Sequence, residues 1–338
     1  MNKLISVVGL VGIIFCCLFF TSNIFASENI ANFTVNVEQS IYQVDKRKTY
    51  FDLLLPKNQL IPLTIHVTNN SNQSIDIEGE VNNATTNMNG VVEYGHSSNK
   101  LTGKEPFNLR QVATFERSKQ TITPKETVDF IINVKVPEKD YGGVVAGGIT
   151  LRDATEKQDD KSNSNMFKNK FAYAIALILH GDKSTEKTKL LLKNIIPTQV
   201  NERNILSAAL MNDSTNYVNK VSINAKVIDF NKQEVLSEKK ENMQIAPNSI
   251  FQFPLYYKEK KMKAGTYILQ MDVNSNNQKW HLSKSFVVPE SASEKLNKTD
   301  VIINKGQALD KINYLILGLS LLIVFLVIVI AVLLKKKK

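Results

Sequence analysis

The last stretch of the chain constrains the fold most. Residues 315–334 (LILGLSLLIVFLVIVIAVLL) run for twenty positions without a charge, and four lysines, Lys335–Lys338, follow directly. A helix of that length rises about 30 Å, the thickness of the hydrocarbon core of a bilayer. Because a helix in a soluble core rarely lacks a polar face for so long, the sequence predicts a transmembrane helix over 314–334. Tyr314 then lies at the outer interface, and the lysine tail 335–338 lies in the cytoplasm by the positive-inside rule.

The start of the chain predicts export. Residues 1–26 combine Lys3, an apolar run and a small residue, Ala26, before a cleavage point, which is typical of a signal peptide. Both cysteines, Cys16 and Cys17, lie inside it, so the mature chain has none and disulfides and zinc–thiolate sites are excluded. A lipoprotein interpretation of Cys16 is the alternative, but the residue before it is a bulky phenylalanine. The chain is therefore predicted to be a single-pass type I protein of the cell membrane with an extracellular ectodomain.

Net charge gives little support to nucleic-acid binding. The chain has 42 basic and 32 acidic residues, and setting aside Lys3 and the four tail lysines leaves 37 basic residues in the ectodomain. These charges are spread along the chain without a basic stripe or an aromatic-interleaved patch. We therefore expect no nucleic-acid partner.

Alternating apolar and polar residues predict an all-β ectodomain. The clearest run is 127–136, where valine, phenylalanine and isoleucine recur at every second position; 33–37 and 63–68 show the same period. Period two with one apolar face is typical of antiparallel strands that cover a core on one side. Many short strands separated by turn residues, as at 87–90 and 137–140, predict β-sandwiches.

An internal repeat predicts two tandem immunoglobulin-like β-sandwich domains. The residues Ile122, Pro124, Phe130 and Gly142 recur at one constant offset of 123 as Ile245, Pro247, Phe253 and Gly265. The segment 67–71 also resembles 210–214, at a different offset. A single larger β domain is the alternative to two domains.

The repeat also places the domain boundaries. We predict a first domain over 32–181 that ends in a strand at 171–179, with the polar stretch 152–170 as an exposed hairpin insertion and a linker near 181–187. The second domain is predicted over 182–289 and a polar stalk over 290–313. If the polar stretch is instead the linker, the boundary moves to about residue 160. The only tryptophan, Trp280, is interpreted as a core residue of the last strand, and an exposed anchor is the alternative.

Signatures of catalysis are missing from the sequence. It contains no GxSxG, P-loop, GxGxxG or HExxH motif and no EF-hand loop, and its four histidines lack ligand spacing. No sorting motif of the LPxTG type precedes the apolar stretch. We therefore expect a protein that is not an enzyme and that uses neither a cofactor nor a metal site.

The most unusual local sequence is a glycine-rich segment, YGGVVAGGIT at 141–150. Glycine is kept where a turn needs positive φ, where a bulge forms or where another backbone comes close. The structural interpretation is a turn at Gly142-Gly143 and a bulge at Gly147-Gly148. The functional interpretation is an open strand or concavity for a partner chain or glycan, with Tyr141, Gly142, Gly143, Gly147 and Gly148 as the candidate binding residues.

These features together resemble a known family. A signal peptide, a first β domain with V-P-x-x-x-Y-G-G-V-x-x-G-G-I at 136–149, the strand FAYAIALIL at 171–179, a second β domain, a terminal span and a lysine tail look like the WxL-interacting proteins of Gram-positive cell surfaces. The resemblance implies a peptidoglycan-binding first domain, a host-binding second domain that begins near residue 160, and WxL-domain proteins as partners. It also implies a location at the cell wall and contact with host matrix proteins.

Three functions follow as hypotheses. The leading one is a non-catalytic surface scaffold that binds WxL-domain proteins, peptidoglycan or both. The second is a membrane-tethered assembly chaperone that accepts a client strand at a sheet edge. The third is a hydrolase of wall polymers whose site depends on the fold alone.

Overall fold

The computed structural model describes residues 31–155, 171–181, 187–258, 260–276 and 278–303, together with 319, 320, 322 and 325. These residues are predominantly β-strand, which confirms the all-β prediction. The signal peptide predicted over 1–26, the lysine tail and most of the predicted transmembrane helix lie outside the described residues, as do 156–170 of the polar insertion. Within the part of the chain that is described, no helix is both long and apolar enough to span a bilayer.

The N-terminal unit, residues 31–181, pairs two sheets around one core. Its strands are β1 (Phe33–Val37), β2 (Phe51–Leu53), β3 (Leu60–Asn69), β4 (Ile75–Asn83), β5 (Thr85–Thr86), β6 (Val92–Glu93), β7 (Ala113–Phe115), β8 (Lys119–Ile122), β9 (Thr127–Lys135), β10 (Val144–Asp153) and β11 (Ala172–His180), with the short helix α1 (Leu109–Val112) before β7. The sheets have the orders β1-β3-β9-β7 and β2-β11-β10-β4-β8. The alternation read at 127–136 is the strand β9, whose residues Phe130, Ile132 and Val134 are fully buried.

The C-terminal unit, residues 187–303, pairs two further sheets around a separate core. Its strands are β12 (Leu190–Val200), β13 (Arg203–Asn212), β14 (Val218–Ile228), β15 (Glu234–Ile245), β16 (Ile250–Tyr256), β17 (Gly265–Asn274) and β18 (Lys279–Val288), followed by the helix α2 (Glu290–Thr299). The sheets have the orders β12-β13-β16 and β15-β14-β17-β18. Trp280 in β18 is half-buried and packs against this core.

The strand orders of the two units correspond. In the N-terminal unit β1-β3-β9 faces β11-β10-β4-β8, and in the C-terminal unit β12-β13-β16 faces β18-β17-β14-β15. The constant offset of 123 read from the sequence relates Phe130 in β9 to Phe253 in β16. The chain therefore contains the same arrangement of seven strands twice, and β2, β5, β6 and β7 are additions to the first copy.

A buried asparagine occupies the same place in both units. The amide of Asn69 donates to the carbonyl of Ile122 at 3.0 Å, and the amide of Asn212 donates to the carbonyl of Ala246 at 2.9 Å. Each Asn side-chain oxygen also accepts from the serine two residues later, Ser71 or Ser214. Because both asparagines are fully buried, these hydrogen bonds satisfy groups that would otherwise be costly to bury. The resemblance of 67–71 to 210–214 thus reflects a repeated tether between two strand ends.

The polar segment after β18 differs from the stalk expected at 290–313. Its first ten residues form α2, and the residue after it, Asp300, is fully buried and accepts from the backbone N–H of Asn204 at 2.8 Å. Leu296 of the helix packs against the C-terminal core. Few apolar residues are needed here because side-chain hydrogen bonds fix the helix, and composition alone therefore gave the wrong start for the stalk.

Candidate functional site

The glycine-rich segment runs from a turn into the central strand of the five-stranded sheet. Tyr141 is buried, its hydroxyl donates to the carbonyl of His180 at 3.0 Å, and its ring meets the edge of Phe107 at 5.0 Å between centroids. Gly143 has a φ of +71°, a conformation that an L side chain rarely adopts, as expected for a turn at Gly142-Gly143. The N–H of Gly181, directly after β11, donates to the carbonyl of Gly143 at 2.9 Å and so continues the pairing of β10 with β11.

Gly147 and Gly148 do not form the bulge expected from the sequence. Both lie in β10 with continuous register to β11 on one side and β4 on the other. A Cβ at Gly148 would lie 2.3 Å from the carbonyl oxygen of Tyr94 and 3.0 Å from that of Ile175. Close backbone approach therefore explains the second glycine pair, because a segment of the same chain crosses β10 there.

The five candidate binding residues are thus brought together, but much of their surface contacts the chain itself. Tyr141, Gly147 and Gly148 are buried, whereas Gly142 and Gly143 are half-buried. A Cβ at Gly143 would lie 2.3 Å from the hydroxyl of Thr215 in the C-terminal unit. The N–H of Val144 donates to the carbonyl of Thr215 at 2.9 Å. The segment is therefore part of the junction between the two units, and its role in binding a partner stays a prediction.

A second part of the junction is an excursion of the N-terminal unit between β4 and α1, which we call the clasp (residues 84–104). Its backbone pairs with the end of β15 and the start of β16: the carbonyl of Gly90 accepts from Gln244 N–H, and the carbonyl of Lys100 accepts from Ile250 N–H, at 2.9 and 3.0 Å. The hydroxyl oxygen of Thr86 accepts from the N–H of Ala246 at 2.9 Å.

Small and aromatic side chains fill the junction between these hydrogen bonds. A buried cluster consists of Ala84, Val92, Ala146 and Ala246, with Tyr94 and Tyr217 packed against it. The two tyrosine hydroxyls lie 3.2 Å apart, and burial raises the pKa of both phenols. Since the interface combines backbone pairing with a buried hydrophobic cluster, we infer that the two units are held in a fixed relation.

A buried carboxylate lies at the end of the N-terminal sheet where β11 meets β2. Asp52 is 2% exposed; Lys48 Nζ donates to it at 2.7 Å, and His180 Nε2 lies 2.6 Å from its other oxygen. Burial by itself raises the pKa of Asp52, but the hydrogen bonds and charges of Lys48 and His180 outweigh it and leave that pKa below its usual value. Sequence patterns do not reveal this cluster, because β11 comes more than a hundred residues after β2 in the chain and pairs with it in parallel.

The C-terminal unit has a groove between β15 and the end of β16. Two adjoining cavities of about 480 and 380 Å³ share Tyr256 and Lys258, and Arg203 and Glu238 line the smaller one. One carboxylate oxygen of Glu238 is buried and has no hydrogen-bond partner among the described residues. Nearby, burial lowers the pKa of Lys240, whose ammonium lies 6.0 Å from the Tyr256 ring centroid. An aromatic ring beside charged groups in a concave site can hold a polar ligand.

Each of the four histidines contacts a carboxylate side chain. The shortest contacts are 2.7 Å from His66 to Asp129, 2.6 Å from His180 to Asp52 and 2.6 Å from His281 to Asp272. Within the described ranges, no group of three or more histidine, cysteine, aspartate or glutamate side chains is placed to hold a metal ion.

Two family models match the chain, one after the other. Residues 33–153 match the peptidoglycan binding domain of the WxL Interacting Protein, and residues 162–298 match its host binding domain. The second match begins before β11, although β11 pairs with β10 and β2 in the N-terminal unit. No curated protein matches the chain.

Solved structures that match the chain at low identity include several chaperones. The alignment with the YadV chaperone covers 75% of this chain and 100% of the chaperone, with 9% sequence identity and a TM-score of 0.29. The Salmonella enterica complex of SafA pilin with the SafB chaperone covers 77% and 97% at 9% identity with a TM-score of 0.31. The E. coli chaperone DraB covers 67% and 88% at 12% identity with a TM-score of 0.26. This likeness is too weak to support a functional conclusion.

Proposed function

The chain belongs to the WxL-interacting protein family, and from this premise we propose that it is a non-catalytic scaffold anchored in the cell membrane. The observation that carries the proposal is the order of the two family matches, a peptidoglycan binding domain over 33–153 and a host binding domain over 162–298. The N-terminal unit would bind peptidoglycan, and the C-terminal unit would bind a host matrix protein. WxL-domain proteins would be the surface partners.

Membrane anchoring is supported by the sequence at both ends. A signal peptide over 1–26 would direct export, and the apolar run 315–334 with its lysine tail would hold the chain in the membrane as a type I protein. The ectodomain would then lie at the cell wall. We also propose that each unit is an immunoglobulin-like sandwich, because each has two facing sheets in which the seven shared strands pair antiparallel and in the same order.

The groove at Tyr256 is our candidate for the host-binding site. It lies in the unit that matches the host binding domain, and it combines a half-buried aromatic ring with a carboxylate oxygen of Glu238 that has no hydrogen-bond partner in the described part of the chain. The glycine-rich segment, in contrast, would act mainly by fixing the N-terminal unit to the C-terminal one.

Purified peptidoglycan sacculi test the wall-binding part of this function. The full chain in detergent micelles is expected to sediment with the sacculi in a saturable way and to release no soluble fragments. Sacculi digested beforehand with a muramidase are the control, because they no longer pellet. A chain that stays in the supernatant contradicts the proposed wall binding, whereas release of fragments by the chain would support the hydrolase hypothesis.

A further inference from the structure

One end of the C-terminal unit carries an exposed aromatic ring on an ordered turn. Phe230 lies in the turn between β14 and β15 and is 92% exposed. The turn is held by Asp229, whose carboxylate accepts from the N–H groups of Asn231 and Gln233, both at 2.9 Å. The ring is therefore presented to the solvent by a fixed backbone. A single exposed phenylalanine is common on protein surfaces and would mean little alone.

A lysine-rich loop adjoins this turn. The segment 257–264 (YKEKKMKA) joins β16 to β17, and its exposed lysines are Lys258, Lys260, Lys261 and Lys263. Lys260 Nζ donates to the carbonyl of Val235, next to the turn, at 3.2 Å. Lys232 adds a further exposed cation on the turn itself. Sequence places a single acidic residue, Glu259, among the four lysines of the loop.

The chain leaves the C-terminal unit at the same end. In α2, the amide oxygen of Asn297 accepts from Met262 N–H in the lysine-rich loop at 2.9 Å. Beyond α2, the N–H of Val301 donates to the carbonyl of Glu202 in the turn between β12 and β13 at 3.1 Å. The uncharged run that begins at Leu315 follows Ile303 by twelve positions. Even a fully extended connection would reach only about 40 Å.

We propose that this end docks on anionic phospholipid headgroups of the membrane that holds the chain, with Phe230 entering the interface and the three lysines outside the groove, Lys232, Lys261 and Lys263, contacting phosphate groups. The proposal rests on the membrane anchor of the proposed function. An exposed aromatic ring flanked by lysines has the chemistry of an interfacial contact, and the short connection keeps it within reach of the bilayer. Since the junction fixes the two units, docking would also hold the N-terminal unit away from the membrane, toward the wall.

Tryptophan fluorescence in proteoliposomes tests the docking. The full chain with Trp280→Phe and Phe230→Trp is reconstituted into vesicles of phosphatidylglycerol and phosphatidylcholine, with brominated lipid as the quencher. The matched control carries Ile41→Trp in the same background, because Ile41 is 88% exposed in the N-terminal unit. We expect quenching and a blue shift for the tryptophan at position 230 and neither at position 41.

The role of the lysines is tested in the same vesicles. Lys261→Gln and Lys263→Gln are expected to lower the ratio of docked to free molecules by about fivefold each, and phosphatidylcholine alone should weaken quenching similarly. A chain that floats with the vesicles but shows no quenching at position 230 would overturn the docking. Failure of the full chain to float with vesicles at all would instead overturn the membrane anchor. Circular dichroism verifies that each variant is folded.

Discussion

A Gly148→Val chain is expected to lose about 3 kcal/mol of unfolding free energy in its N-terminal unit. A side chain there would meet the carbonyl oxygens of Tyr94 and Ile175 and the Cβ of Tyr94, all within 3.0 Å. Two of these three atoms belong to the backbone, so no rotamer change relieves the clash. Either the clasp must lift from β10 or the strand must move within its sheet. Urea unfolding followed by circular dichroism, with the full chain in detergent micelles, measures the loss.

Gly95→Val is the matched control for this variant. The nearest atom to a Cβ at Gly95 is the hydroxyl of Thr150 at 3.5 Å, an ordinary contact. We expect it to change the unfolding free energy by less than about 1 kcal/mol. Gly148→Val should also reduce sedimentation with sacculi if the N-terminal unit binds peptidoglycan. Equal unfolding free energies of Gly148→Val and the parent chain would show that the clasp does not lie on β10.

An Asp52→Ala chain is expected to be about 2–3 kcal/mol less stable than the parent at pH 7. Removal of this buried carboxylate leaves Lys48 and His180 without their shared partner. The side chains of Lys48 and His180 are 35% and 32% exposed, so water can replace part of the hydrogen bonding that they lose. The expected loss of stability is therefore smaller than for a fully buried ion pair.

The stabilisation that Asp52 provides is expected to decrease as the pH is lowered. Because the folded chain lowers the pKa of Asp52, the carboxylate stabilises the fold above its unfolded pKa of about 4, and that contribution is lost as the pH falls through the folded value. The difference between the parent and Asp52→Ala should therefore shrink below about pH 4. Unfolding midpoints from pH 3 to 7 measure it. A difference that grows as the pH falls below about 4 would contradict the lowered pKa.

Asp45→Ala is the control for the buried carboxylate. Arg47 holds the pKa of Asp45 at about 2 through a hydrogen bond, but this pair lies on the surface. Solvent screens exposed pairs, so the unfolding midpoint is expected to stay unchanged. A shift as large as that of Asp52→Ala would show that burial does not set the difference.

Local periodicity made much of the fold predictable. The alternation at 127–136 identifies β9 because every second residue there faces one core. Two copies of one arrangement were indicated by the offset of 123 and by the similar segments at Asn69 and Asn212. The segments are similar because each unit needs a buried asparagine to make the same hydrogen bond between strand ends.

Contacts between distant segments were not predictable in the same way. The sequence of the clasp suggests only a series of turns. The fold shows that the clasp crosses β10 at Gly148 and reaches the C-terminal unit. The bulge at Gly147-Gly148 was therefore a wrong interpretation of a correct signal, because a bulge and a close approach both favour glycine. Charged residues on β15, such as Glu238 and Lys240, gave no sequence signal for a groove, because the groove needs β16 beside them.

Cross-linking in intact cells tests the central claim most directly. A tagged full chain is cross-linked at the cell surface, recovered under denaturing conditions and compared with an untagged strain. The account predicts that WxL-domain proteins and peptidoglycan fragments are recovered together with the tagged chain. Recovery of the folded, surface-exposed chain with neither of them would contradict the proposed scaffold.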